Sequence, residues 1–61
     1  MSKEILKELT LNGIRWANNI LIEVLSSYAT RVDGDGKGTE HLRDAVRSLS
    51  EAVNEFRKQP S

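Results

Sequence analysis

A glycine-rich stretch in the second half of the chain limits the possible folds more than any other feature of the sequence. Gly34, Gly36 and Gly38 lie within five consecutive residues and alternate with charged residues. Glycine is among the least favourable residues in a helix interior, so a helix is not expected to continue through this stretch. The sequence therefore predicts two helices joined by a glycine-rich loop over residues 33–38.

The segment after the loop has the clearest periodicity in the chain. Its apolar residues recur at helical spacing in one stripe: Leu42, Ala45, Val46, Leu49, Ala52, Val53 and Phe56. At about 100° per residue the stripe covers about a third of the circumference, and the remaining positions are polar. Thr39 is a suitable N-cap and Pro60 prevents much continuation, so we predict a helix over about 40–58.

The segment before the loop predicts a longer helix, over about 3–32. It contains no proline, and Ser2 is a suitable N-cap residue. The pair Asn12-Gly13 is its one weak position, where the helix could kink or break. We expect a continuous helix because the apolar periodicity passes through the pair without a change of phase.

Two helices and one loop make a single domain over residues 1–61, an all-α antiparallel helical hairpin with a frayed tail at 59–61. A chain of this size buries only about 60 % of the surface that its unfolded form exposes, so its own core gives marginal stability. Small domains are usually reinforced by a disulfide, a metal or a partner chain. The sequence has no cysteine and only one histidine, which leaves association with a partner chain.

The longer helix carries more apolar surface than the shorter one can cover. One apolar face is expected to pack against the second helix and, with the stripe described above, to form the hairpin core; it contains Ile14, Ala17, Leu21, Leu25 and Tyr28 and ends at Val32. An adjoining face is the predicted interface with a partner: Ile5, Leu6, Leu9, Gly13, Trp16, Ile20 and Val24. One neighbouring helix covers about 100° of a helix surface, so the two faces require two neighbours.

Helix length supports the same conclusion. At about 1.5 Å per residue, the second helix folded back from the loop reaches only to about Ile14, so residues 2–12 extend beyond it. In this stretch Lys3, Lys7 and Thr10 occupy the core face, whereas the adjoining face stays apolar. We expect two hairpins to pair as a four-helix bundle, in parallel or antiparallel association. A different protein that covered the adjoining face would equally supply the second neighbour that this helix requires.

Charge and hydropathy argue against nucleic acid as a partner and against a place in the membrane. Nine basic and nine acidic residues give a net charge of zero, and neither half of the chain is a basic patch, which argues against nucleic-acid binding. No apolar run approaches the roughly 18 residues that span a bilayer, and the N-terminus lacks the apolar region of a signal peptide. We therefore expect a cytoplasmic protein without a membrane-spanning segment.

No motif for metal binding or catalysis is complete. Read as a calcium-binding loop that starts at Asp33, the glycine-rich stretch has Lys37 at a ligand position. Read as a phosphate-binding loop, it lacks a preceding strand and the Gly-Lys-Ser/Thr ending. His41 has no second histidine or cysteine to accompany it, and we read it as a polar residue at the edge of the core. We expect no metal, no cofactor, no small-molecule substrate and no enzymatic activity.

These features predict a small protein–protein interaction module, a homodimeric helical bundle that binds and modulates another protein as an accessory regulator or inhibitor. The alternative is a small nucleic-acid-binding regulator, either an RNA-binding helical hairpin or a repressor of the ribbon-helix-helix type. In the second version residues 3–9 would form a strand, which their helical periodicity disfavours. The zero net charge argues against both versions.

Overall fold

The computed structural model describes residues 2–60, so Ser61 of the predicted tail lies outside the described residues. Its elements are α1 (Lys3–Val24), a π-helical turn (Leu25–Ala29), α2 (Thr30–Asp33) and α3 (Lys37–Lys58). The first three follow one another without a break, and we refer to them together as the first helix. No strand occurs within residues 2–60, so the described chain is all-helical, with two helices as predicted. In this part of the chain neither helix is long and apolar enough to cross a membrane.

The N-terminal part of the first helix follows the sequence prediction. The side-chain oxygen of Ser2 accepts a hydrogen bond from the backbone N–H of Ile5 at 3.2 Å, which caps α1. The helix runs through Asn12 and Gly13 without a break, so the predicted continuity is confirmed. Residues 3–9 are helical, and the strand that a ribbon-helix-helix repressor needs is therefore absent from them.

The connection between the helices is shorter than predicted. It comprises residues 34–36, whereas the sequence suggested a glycine-rich loop over 33–38. The helix α3 begins at Lys37, three residues earlier than expected, with Gly36 as its N-cap. The prediction of Thr39 as N-cap is wrong, because this residue already lies inside the helix.

Asp33 explains why a helix can begin among glycines. Its carboxylate accepts a hydrogen bond from the backbone N–H of Thr39 at 3.1 Å and so satisfies a free donor at the start of α3. A Cβ atom on Gly36 would lie 2.6 Å from the Cγ of Asp33, so glycine is needed for this close approach. Gly34 reverses the chain with a φ of +60°, a value that side chains of the L configuration disfavour.

The two helices contact each other over most of their length. Next to the connection, the hydroxyl of Thr39 donates a hydrogen bond to the carbonyl oxygen of Ala29 at 3.4 Å. Halfway along, the side-chain amide of Asn18 donates to the hydroxyl of Ser50, also at 3.4 Å. The resulting body is long and thin, with principal extents of 43 × 15 × 12 Å.

Contact continues to the far end of the molecule. The ammonium group of Lys7 donates a hydrogen bond to the carbonyl oxygen of Gln59 at 2.6 Å, and Phe56 lines a cavity together with Leu6. Residues 2–12, which we expected to extend beyond the second helix, are therefore covered in part, by Phe56 of α3 and by Gln59 and Pro60 after it. The connection uses fewer residues than expected and α3 starts earlier, so α3 is a 22-residue helix that reaches further along its neighbour.

Candidate functional site: an exposed apolar face on the first helix

No apolar side chain within residues 2–60 is fully buried. Thr39, with 0 % of its surface exposed, is the one buried residue of this part of the chain. Two helices side by side cannot enclose a core, because each side chain between them has neighbours on one side only. The packing of the molecule on itself therefore leaves much apolar surface in contact with solvent.

The residues predicted for the core line the contact between the helices, with one exception. Eleven of them are half-buried: Ile14, Ala17, Leu21, Leu25, Leu42, Ala45, Val46, Leu49, Ala52, Val53 and Phe56. Tyr28 differs, since 59 % of its surface is exposed.

The sequence reasoning also missed Asn18, whose side-chain oxygen is buried without a hydrogen-bond partner among the described residues. The sequence alone does not show whether an asparagine next to apolar residues points towards the second helix or towards solvent.

The residues predicted for the interface form an exposed row along α1. The large ones are Ile5, Leu6, Leu9, Trp16 and Ile20, and Trp16 is the most accessible of them at 70 %. Gly13 lies in the same row, and a Cβ atom placed on it would meet nothing within 4 Å. Val24, at the end of α1, is half-buried. Within one copy of the chain, most of this row contacts only solvent.

The π-helical turn Leu25–Ala29 changes which residues face α3. A π-helical turn holds one more residue than an α-helical turn, so the residues after it are rotated back by about 100° relative to a regular helix. Tyr28 and Val32, which a regular helix would direct towards α3, are exposed to 59 % and 88 %. Ala29 and Asp33 take their place and make the hydrogen bonds to Thr39.

The π-helical turn therefore extends the exposed row to the connection. We call the resulting surface the open face; it consists of Ile5, Leu6, Leu9, Gly13, Trp16, Ile20, Val24, Tyr28 and Val32. At about 1.5 Å per residue the open face is about 40 Å long, which is close to the full length of the molecule. Ile22 is also exposed, to 44 %, but on a regular helix it lies about 160° away from Ile20.

A polar border follows one edge of the open face. Its residues are Glu8, Asn12, Asn19, Glu23 and Arg31, all of them exposed. Within residues 2–60 none of these five side chains makes a hydrogen bond or an ion pair. On α3, by contrast, Arg47 lies 3.9 Å from Asp44 and Lys58 lies 3.7 Å from Glu55. Within residues 2–60, the border is thus a row of exposed polar side chains that have no polar partner.

Both aspartates near the connection already have partners within the chain. Asp33 accepts the backbone N–H of Thr39, and Asp35 lies 3.2 Å from the guanidinium group of Arg43. These contacts give the acidic residues a structural role at the turn. His41, the only histidine of the sequence, is exposed on the first turns of α3.

No protein-family model matches this sequence, and no curated protein or solved structure is significantly similar to it.

Proposed function

We propose that this chain is a non-enzymatic protein–protein interaction module. Its two helices form an antiparallel hairpin, and two hairpins associate through their open faces into a four-helix bundle. The homodimer binds another protein and modulates its activity, as an accessory regulator or inhibitor.

The extent of the open face is the observation that carries this proposal. Seven of its large apolar side chains are more than 40 % exposed, and no apolar side chain within residues 2–60 is fully buried. Burial of a large apolar side chain contributes about 1.5–3 kcal/mol, so covering this face gives a small domain the stability that its own packing lacks. A contiguous apolar surface of this length is typical of a protein interface.

The second partner would meet a different surface. When two open faces cover each other, the accessible part of the bundle is the polar side of α3, with Arg43, Arg47, Glu51 and Glu55 exposed on it. Charges of both signs alternate there, which favours recognition by complementary charge and not by apolar burial. We therefore expect the modulated protein to present a polar surface of mixed charge to the bundle.

A matched pair of isoleucines tests the association. Ile20 lies on the open face and Ile22 lies outside it, with exposures of 43 % and 44 % on the same helix. Sedimentation equilibrium should give a dimer for the wild type and for Ile22→Glu, and a monomer or an unfolded chain for Ile20→Glu. Because both variants place a new charge on the same helix, a loss of the dimer in Ile20→Glu alone shows that Ile20 is buried at the interface.

Two results would contradict the proposal. The first is a folded wild-type monomer at micromolar concentration, because the open face would then need no cover. The second is binding of RNA or heparin that weakens steeply with salt, since counterion release is the signature of a nucleic-acid-binding protein.

A further inference from the structure

We propose that the partner on the open face is a second copy of this chain in antiparallel orientation, in one defined register. In this register Ile5 lies opposite Val32 of the second copy, and Leu9 opposite its Tyr28. Gly13 lies opposite Val24 of the second copy. The inference rests on the proposed homodimer and adds its direction and register.

The spacing along the open face supports this register. Starting from either end, the apolar residues recur every four positions: Ile5, Leu9 and Gly13 from one end, Val32, Tyr28 and Val24 from the other. Reversing the chain about a point between residues 18 and 19 therefore places each of these residues level with another member of the row. The π-helical turn is essential for this match, because without it Tyr28 and Val32 would face α3.

Side-chain size supports the same register. Gly13 leaves open space on the face, since a Cβ atom at this position would have no neighbour within 4 Å. Opposite a branched residue such as Val24, this space is filled, whereas a parallel pair would place Gly13 against Gly13 and leave a void. A parallel pair would also place the two Trp16 side chains, each 70 % exposed, at the same level.

The polar border adds charge complementarity. In an antiparallel pair related by a twofold axis, the same edge of the two faces meets, so the border of one copy lies beside the border of the other. Arg31 is then within two residues of Glu8 of the second copy, and Glu23 is within two residues of its Asn12. Asn19 lies beside Asn19 of the second copy, close to the axis. Each of the five border side chains, none of which has a polar partner within residues 2–60, thus gains one of suitable chemistry.

Disulfide trapping tests the direction, since the natural chain contains no cysteine. Leu9→Cys and Tyr28→Cys are prepared separately, mixed, oxidised and analysed by mass spectrometry. The antiparallel register predicts that the mixed disulfide exceeds its statistical proportion. Residues 9 and 28 are about 28 Å apart along the helix, so a parallel dimer cannot form this bond and gives the two symmetric products instead. Ile5→Cys with Val32→Cys repeats the test in case the first pair disturbs folding.

The outcomes separate this inference from the proposed function. A dimeric mass with symmetric disulfides, or with a statistical mixture, overturns the antiparallel register and leaves the homodimer standing. A monomeric wild type overturns both. An excess of mixed disulfide from both cysteine pairs supports both.

A charge exchange tests the register more finely. Glu8→Arg and Arg31→Glu each place like charges beside each other in the dimer, and each should weaken association about threefold to tenfold. The double variant Glu8→Arg/Arg31→Glu restores opposite charges and should return to within about twofold of the wild type. Within one copy the two residues are about 34 Å apart, so restoration cannot arise inside a single chain. Lys58→Glu, exposed on α3 and so outside both the open face and its border, is the control and should change association by less than about twofold. Failure of the double variant to restore association would overturn the register.

Discussion

The connection and the open face are stabilised in opposite ways. At the connection, Thr39 is completely buried and takes part in two hydrogen bonds, one with Asp33 and one with Ala29. On the open face, Trp16 is 70 % exposed. The connection thus satisfies its polar groups within one chain, whereas the open face leaves its apolar surface in contact with solvent, where we propose that a second copy covers it. In the proposed dimer, the chain therefore divides its stability between local hydrogen bonds at the connection and association at the open face.

This contrast has a measurable consequence. Substitutions at the connection should change the free energy of unfolding by the same amount at every protein concentration. Substitutions on the open face should change the concentration dependence of unfolding, because dissociation and unfolding are coupled in a dimer of marginal monomers. The following four predictions are ordered from the largest expected effect to the smallest.

The largest effect is expected for Trp16→Ala. If Trp16 anchors an interface, its truncation should lower the free energy of unfolding of the dimer by about 2–4 kcal/mol, measured by urea unfolding followed by circular dichroism. Ile22→Ala is the control and should change it far less. If the open face contacts only solvent, Trp16→Ala would instead be neutral or slightly stabilising, because alanine is the better helix former.

Removal of the cap at the connection should have an intermediate effect. Asp33→Ala loses the hydrogen bond to the backbone N–H of Thr39, which should cost about 1–2 kcal/mol at all protein concentrations. Asp35→Ala is the matched control; its ion pair with Arg43 is exposed, and its loss should cost less than about 0.5 kcal/mol. Equal effects of the two substitutions would show that the capping contact is not what stabilises the turn.

Gly34 allows a test of backbone conformation at the connection. With a φ of +60°, replacement by L-alanine should cost about 1 kcal/mol. A chain of 61 residues is within reach of chemical synthesis, so D-alanine can be placed at the same position. D-alanine adopts positive φ without strain and should be neutral or stabilising. Identical thermal unfolding of the two diastereomers would contradict the positive φ at this position.

The smallest effect, but one with a diagnostic sign, is expected for Val32→Ala. Val32 is 88 % exposed in the single chain, where alanine would raise helix stability by a few tenths of a kcal/mol. In the antiparallel dimer Val32 packs on Ile5 of the second copy, so the substitution should instead destabilise by about 0.5–1 kcal/mol. Stabilisation by Val32→Ala in thermal unfolding would place this end of the open face outside the interface.

Helical periodicity predicted both helices, because their apolar residues repeat at the α-helical spacing over long stretches. The seven-residue stripe of α3 required no tertiary information, and the continuity through Asn12 and Gly13 followed from an unchanged phase. The connection was predicted too long because glycine was read only as a helix breaker. Its length depends on Asp33, which caps α3 only after the chain has turned back, and no local pattern contains that contact.

The residues that the helical wheel placed on the interface face of α1 are exposed, apart from the half-buried Val24, whereas the wheel placed Tyr28 and Val32 on the wrong face. A helical wheel assumes the same rotation at each residue, and the π-helical turn Leu25–Ala29 breaks that assumption. One signal was present in the sequence: Ile20, Val24, Tyr28 and Val32 are all four residues apart. In a regular α-helix this spacing drifts around the axis by about 40° per step, and an inserted residue restores the alignment.

Sedimentation equilibrium of the unmodified chain over a range of micromolar concentrations tests the central claim most directly. We predict a reversible transition to a species with twice the chain mass of 6.9 kDa, with helical circular dichroism that grows as the dimer forms. A single species of 6.9 kDa with full, concentration-independent helicity would contradict the claim that the open face is covered by a second copy.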